Sequence, residues 1–196
     1  LLQMAIITDN ENISQVRDLL MVVLAMKGCL RASELTALKQ SEAILKRMDL
    51  GSEQEDVLML LIARSKTDQI KRGDTVIIGE DSDKRICPIS LFRRYELLRQ
   101  QRQSRSEWLF FNFNEEQKAL APSTFNHIVK RLLAKIGVED IEFFGSHSCR
   151  AGGATEAWKK KIDVELIKRH GRWKSDAVFL YIRPDAADQL RVSKAI

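Results

Sequence analysis

The chain has 196 residues, 44% apolar and 30% charged, with a formal net charge of +5 and a pI near 9.2. That length suits one domain, or one domain with a small appendage, and supplies enough apolar residues for a core. The three scattered cysteines, Cys29, Cys87 and Cys149, form no C-x-x-C pair, which excludes a disulfide framework and a cysteine-rich zinc site, and no apolar run reaches bilayer-spanning length.

Nine Gly and three Pro are few for this length, and the pattern between them predicts a mostly helical fold. The opening Leu1-Leu2-Gln3-Met4-Ala5 lacks an initiator Met and a signal-peptide pattern, as expected of a segment cut from a longer intracellular protein. Val16, Leu19, Leu20, Val23 and Leu24 then make one apolar stripe, so a helix is expected over Ile13 to Lys27, closed by Gly28. A second, short helix is expected over Ser33 to Lys39. The runs Val57 to Ile62, Thr75 to Ile78 and Arg85 to Ile89 read as three antiparallel strands. The polar connection from Ser65 to Gly73 is rich in cations.

Helices resume with Ser90 as the expected N-cap of Leu91 to Arg102, whose Leu91, Tyr95 and Leu98 share a face. Trp108 to Phe111 reads as a short buried segment. Pro122-Ser123 opens a helix with Phe125, Val129, Leu132 and Ile136 inward and Gly137 after it. Further helices are expected over Arg150 to Lys160 and Asp163 to Arg169. Another is capped by Ser175 and carries Tyr181, and a last one runs from Asp185 to Ala195. The whole is an α+β fold, mostly α-helical, with a small antiparallel three-stranded sheet.

The chemistry is concentrated near the C-terminus. Ser146-His147-Ser148-Cys149-Arg150 is followed by Gly171-Arg172-Trp173-Lys174-Ser175-Asp176 and then Tyr181-Ile182-Arg183. Breaking a DNA backbone by transesterification passes through a pentacoordinate phosphorus with extra charge on its non-bridging oxygens. Guanidinium groups suit those oxygens because they donate in parallel pairs. An indole N–H adds a neutral donor. A tyrosine can attack phosphorus and form a covalent phosphotyrosine. Its unperturbed pKa of about 10 falls beside cations. A lysine can protonate the departing 5′ oxygen. Arg150 and His147 share one turn, with Trp173 and Tyr181 following. Far upstream, Arg31 opens a helix, and Glu34 lies one turn on, placed to orient Arg31 or cap that helix. Lys66 lies in the cationic connection, where Lys71 and Arg72 are its rivals.

Other residues have plainer readings. Trp108 and Trp158 are expected in the core and His127 on the surface. His170 is expected to cap the helix that starts at Asp163, and Lys159-Lys160-Lys161 to form a solvated face. Ser148 beside His147 is rejected as a nucleophile–base pair, because adjacent residues rarely form one and no acidic third member stands out.

Taken in order, Arg31, Lys66, His147, Arg150, Trp173 and Tyr181 resemble the catalytic domain of the tyrosine recombinases, the family of phage integrases and the Cre and Xer recombinases. The resemblance covers nearly the whole chain, 1–196, as one tyrosine recombinase catalytic domain. The small helical DNA-clamping domain that precedes it in the family is expected to be missing. The wording Gly-Arg-Trp-Lys-Ser-Asp-Ala, then Tyr-Ile-Arg, is similar to recombinases of eukaryotic mobile elements and their viruses.

The resemblance implies Arg31 and Arg150 as phosphate clamps, Glu34 as support, Lys66 as leaving-group acid, His147 beside Arg150, Trp173 at the family's His-or-Trp position and Tyr181 as nucleophile. The Trp173-to-Tyr181 spacing is one residue shorter than in Cre. The implied function is site-specific recombination or integration through a 3′-phosphotyrosine, with no cofactor and no metal. The implied partner is double-stranded DNA, bound by a homotetramer that is monomeric when free, away from membranes and in the nucleus if the host is eukaryotic. The alternatives are a DNA-binding derivative that no longer cuts and a type IB topoisomerase-like enzyme. A generic helical interaction domain explains none of the ordered motif.

Overall fold

The computed structural model describes residues 1–51, 53–62 and 73–196. Among these residues the elements are α1 (Leu2–Ile6), α2 (Ile13–Lys27), α3 (Ala32–Thr36), β1 (Ala43–Asp49), β2 (Gln54–Ile62), β3 (Asp74–Ile78), α4 (Pro88–Gln101), β4 (Phe111–Asn112), β5 (Glu115–Ala119), α5 (Pro122–Lys135), α6 (Ser146–Lys159), α7 (Val164–His170) and α8 (Ala186–Ala195). A 3-10 helix, Asp176–Leu180, lies between α7 and α8.

Helix α2 is the axis of the fold. The Asn12 side chain accepts from the amides of Ser14 and Gln15 and starts it, and Gly28 ends it. Every residue from Val16 to Ala25 is buried, so this helix is enclosed on all sides rather than amphipathic. Helices α4 and α6 pack along it. Gly153 permits the crossing with α6, since a Cβ there would lie 2.1 Å from the Met26 carbonyl oxygen. That close approach brings the middle of α6 to the end of α2.

The sheet has the antiparallel order β1-β2-β3, with Ala43 opposite Leu60 and Leu58 opposite Ile78. Leu58, Leu60, Ile62, Val76 and Ile78 send one face into the core. Its composition corrects the sequence expectation. The first strand is Ala43–Asp49, whereas Arg85 to Ile89 is a turn running into α4. Pro88 occupies the first turn of α4, where its missing N–H has no role to fill, so Cys87 rather than Ser90 takes the N-cap position. Two shorter corrections follow: α3 stops at Thr36, and α6 starts at Ser146, four residues before Arg150.

Leu91, Tyr95 and Leu98 of α4 are buried, as are Phe125, Val129 and Leu132 of α5. Ile136 packs on the same core while partly exposed. Trp108 and Trp158 are half-buried, and His127 is exposed. A second apolar cluster, separate from the one around α2, consists of Cys29, Ala154, Ile167, Trp173, Val178 and Ile182, with Trp158 and Tyr181 packed on it. It forms the floor of the site described next.

Candidate active site

Arg31 occupies the N-cap of α3. Its amide donates to Glu34 Oε2 at 2.9 Å and its Nη1 to Glu34 Oε1 at 2.6 Å. Glu34 is almost fully enclosed, with 1% of its side chain exposed. Arg172 arrives from the other end of the chain and donates from Nη2 to Glu34 Oε2 at 2.8 Å. Burial pushes the Glu34 carboxyl upward, but the Arg172 and Arg31 guanidiniums and the Arg31 amide outweigh it and hold the group below its ordinary value. Glu34 is therefore an ionised buried carboxylate serving two arginines.

Arg150 is the fifth residue of α6 and is buried. Its Nη1 donates to the Cys29 carbonyl and its Nη2 to the Gly171 carbonyl, the latter at 2.6 Å. Cys29 has φ +45°, a left-handed conformation uncommon outside glycine, and its carbonyl also accepts from Arg172 Nη2 at 3.4 Å. Burial first, and then Arg31 and Arg172, draw the Arg150 pKa down to about 10, with Glu34 opposing. The group stays charged at neutral pH, in a site with more positive than negative charge.

Trp173 is buried, with its ring centroid 4.0 Å from the Arg150 guanidinium carbon and 5.1 Å from the Tyr181 ring centroid. The Arg150 carbon is 5.4 Å from the Tyr181 ring. The Gly-Arg-Trp order has a steric cause: a Cβ on Gly171 would lie 1.7 Å from the Trp173 ring. Ser175 caps the 3-10 helix by accepting from the Ala177 amide, and Tyr181 follows its last residue. Thr155 of α6 fixes that segment, donating to the Tyr181 carbonyl and accepting from the Arg183 amide, both at 3.0 Å.

His147 is exposed, one turn before Arg150 on α6. It lines a groove of about 490 Å³ together with Asn126, His127, Lys130, Phe143 and Arg183. Among the described residues that line this groove there is no carboxylate, although the chain has 27 acidic residues. Asn126 Oδ1 accepts from the Ser146 amide at 2.8 Å and so anchors the start of α6. Ser148 Oγ accepts from the Gly145 amide at 3.1 Å, a capping role that leaves no Ser–His pair.

The structure thus gathers Arg31, Glu34, Arg150, Trp173 and Tyr181 into one connected cluster, while His147, one turn before Arg150 on α6, is exposed in the groove. Lys66, Lys71 and Arg72 lie outside the described residues. His170 does not cap its own helix; its Nε2 bonds to the Lys27 carbonyl at 2.7 Å, tying α7 to the end of α2. Two residues went unread in the sequence. Arg172 was visible in the Gly-Arg-Trp triplet but served only as context for Trp173. Thr155 gave no signal, because its role depends on α6 lying beside residues 181–183. Among the described residues no group of three or more His, Cys, Asp and Glu is placed to hold a metal, and no helix is long and apolar enough to cross a membrane.

Comparisons with known proteins agree with this architecture. A curated relative from Selenomonas ruminantium, an integrase/recombinase xerD homolog, is 27% identical over 172 residues, covering 86% of this chain and 47% of the relative. The XerH site-specific recombinase, solved bound to a palindromic difH substrate as a post-cleavage complex, superposes with a TM-score of 0.67 at 21% identity, covering 94% of this chain and 46% of that one. The XerA recombinase gives 0.68 at 17% identity, over 93% and 57%. The Tn1549 transposon integrase, in complex with transposon right end DNA, gives 0.53 at 13% identity, over 89% and 56%. The solved structures share the fold, and the chain spans about half the length of the proteins it matches. Residues 2–186 match the phage integrase family, and to that family, the tyrosine recombinases, the chain belongs.

Proposed function

We propose that this chain is the catalytic part of a site-specific DNA recombinase or integrase that cuts and rejoins strands through a 3′-phosphotyrosine on Tyr181. The observation that carries the reading is the packing of the Tyr181 ring against Trp173 and near the Arg150 guanidinium, in a cluster that includes Arg31. Arg31 and Arg150 hold the non-bridging oxygens of the scissile phosphate. His147, exposed in the groove, donates to the same phosphate. Trp173 backs both Arg150 and the nucleophile. As the Tyr181 oxygen bonds to phosphorus, the 5′ oxygen leaves and takes a proton from Lys66, and the reverse sequence reseals a strand. The guanidiniums carry the charge stabilisation that a metal ion supplies in other phosphoryl-transfer enzymes, so the reaction needs no divalent cation.

Double-stranded DNA is the partner, and the groove beside His147 suits it: basic, and acid-free among the described residues that line it. Assembly into a tetramer on DNA is supported by α8, which has no buried residue and exposes Leu190, Val192 and Ile196. On a second copy it has a place to go, the cleft of about 620 Å³ lined by Met26, Ile77, Ala157, Ile162 and Leu166. A recombinase acts where its DNA is, inside the cell and in the nucleus of a eukaryotic host. The test is covalent capture: a nicked suicide duplex, selected from a randomised pool, should become attached to the protein in excess chelator. Binding without attachment would favour the non-cutting derivative.

A further inference from the structure

We propose that Arg172 is the positioning residue of the phosphate clamp, holding Glu34 and the Cys29 carbonyl so that Arg31 and Arg150 face one phosphate. The inference rests on the recombinase reading above and adds a residue to it.

The hydrogen bonds divide the three arginines into two kinds. A guanidinium has five N–H donors. Arg172 donates from Nη1 to the Gly28 carbonyl at 3.3 Å and the His170 carbonyl at 3.0 Å. From Nη2 it donates to the Cys29 carbonyl at 3.4 Å and to Glu34 at 2.8 Å. All four Nη hydrogens are thereby used, and 7% of the side chain is exposed. Among the described residues Arg31 makes one guanidinium bond, to Glu34, and keeps 27% of its side chain exposed. Arg150 makes two, and its buried Nε has no partner. Arg172 Nε is likewise buried without a partner among the described residues, so the difference lies in the Nη groups: Arg31 and Arg150 retain Nη hydrogens for a ligand, whereas Arg172 has spent all four of its own on the framework. Its backbone, at φ +59°, is held in a conformation uncommon for a residue with a side chain, as expected where contacts over-determine a position.

Both clamping arginines connect to Arg172 through a shared acceptor. Glu34 Oε2 takes Arg172, while the same carboxylate takes Arg31. The Cys29 carbonyl takes both Arg172 and Arg150. Charge points the same way. Three guanidiniums against one carboxylate leave two surplus positive charges, and a phosphodiester attacked by an oxyanion reaches two negative charges at the pentacoordinate stage. Without Arg172, Glu34 would neutralise Arg31 alone, and one of those charges would be lost from the cluster.

The test uses the charge of the phosphate as its readout. A duplex is selected from a randomised pool by covalent capture on the wild-type protein, and the cut position is mapped. The same duplex is then made with a methylphosphonate at that position, which removes the non-bridging charge the clamp serves. Arg172→Ala should slow attachment to the natural phosphate by about 10²-fold, the scale of losing one preorganised donor, and should slow attachment to the methylphosphonate only a few-fold. Equal losses on both substrates would overturn the proposal, since a general loosening of the fold does not distinguish them. A wild-type protein that attaches to no duplex would instead overturn the recombinase reading. Should Arg172→Ala fail to fold, Arg172→Lys keeps the charge without the fork, and the same substrate contrast is expected. Glu34→Gln in the Arg172→Lys background should then add only a few-fold further loss; fully multiplicative losses would show that the two act independently.

Discussion

The guanidinium carbon of Arg150 sits 4.0 Å from the Trp173 ring centroid, while the indole Nε1 of Trp173 is buried with no hydrogen-bond partner among the described residues. In this arrangement the tryptophan acts through its ring face. A desolvated cation over an aromatic face is worth about 2 kcal/mol. Trp173→Phe keeps such a face and loses the N–H. It should retain strand attachment within about tenfold of wild type. A fall of order 10²–10³-fold, the size expected for a lost transition-state donor, would instead make Nε1 a direct ligand of the phosphate. Single-turnover attachment rates decide between them.

Gly153 allows α6 to meet the end of α2, and a Cβ there would press on the Met26 carbonyl at 2.1 Å. The obstructing atoms are backbone, so the clash cannot be relieved by rotating a side chain. Gly153→Ala should destabilise the fold by about 1–3 kcal/mol, the usual range for overpacking. Urea unfolding should show a lower midpoint with an unchanged slope. An unchanged midpoint would mean that the two helices separate freely at this point.

Glu34 gives the site a pH dependence of defined sign. Its folded pKa lies below the ordinary value near 4.5. The stability it contributes is therefore complete above that value and is lost as pH falls through the lower, folded one. Wild type should exceed Glu34→Gln in stability at pH 7, and the difference should shrink once pH drops below about 4.5. Urea titrations at a series of pH values give this directly. A gap that is constant from pH 7 to pH 3 would show that folding leaves the Glu34 pKa unshifted, and one that changes in wild type's favour as pH falls would show that it is raised.

Removing the residues after Pro184 takes away α8, which has no buried residue. The unfolding midpoint of the remaining chain should stay unchanged. First-strand nicking should remain measurable, while tetramer formation on DNA should fall. Sedimentation with a duplex target reads the last effect, and equal assembly with and without the tail would remove α8 from the interface.

The parts of the fold legible in the sequence are those where burial leaves a pattern. Within Ile13 to Lys27 the run from Leu19 to Met26 is unbroken apolar and the helix closes on Gly28, and the strand containing Val57 to Ile62 is a compact β-branched and leucine-rich run. The strand Ala43–Asp49 was illegible because it is an edge strand with no buried residue, so Lys46, Arg47 and Asp49 interrupt any alternation. The run Arg85 to Ile89 misled for the opposite reason: Cys87 and Ile89 are buried at a turn and helix start, a context that short apolar runs do not distinguish from a strand. The site residues were readable as an ordered set because each carries its own chemistry. Arg172 was not, since three of its four acceptors, on Gly28, Cys29 and Glu34, lie far upstream in the chain, and only the folded chain brings them to it.

The central claim is that Tyr181 attacks phosphorus. The most direct measurement traps the protein on a nicked suicide duplex, digests the adduct and maps the modified residue by mass spectrometry, with Tyr181→Phe in parallel. The account predicts a single nucleotide-bearing peptide modified at Tyr181, and a Phe variant that binds the duplex with nearly wild-type affinity but forms no adduct. An adduct on any other residue, or one that persists in Tyr181→Phe, would contradict it.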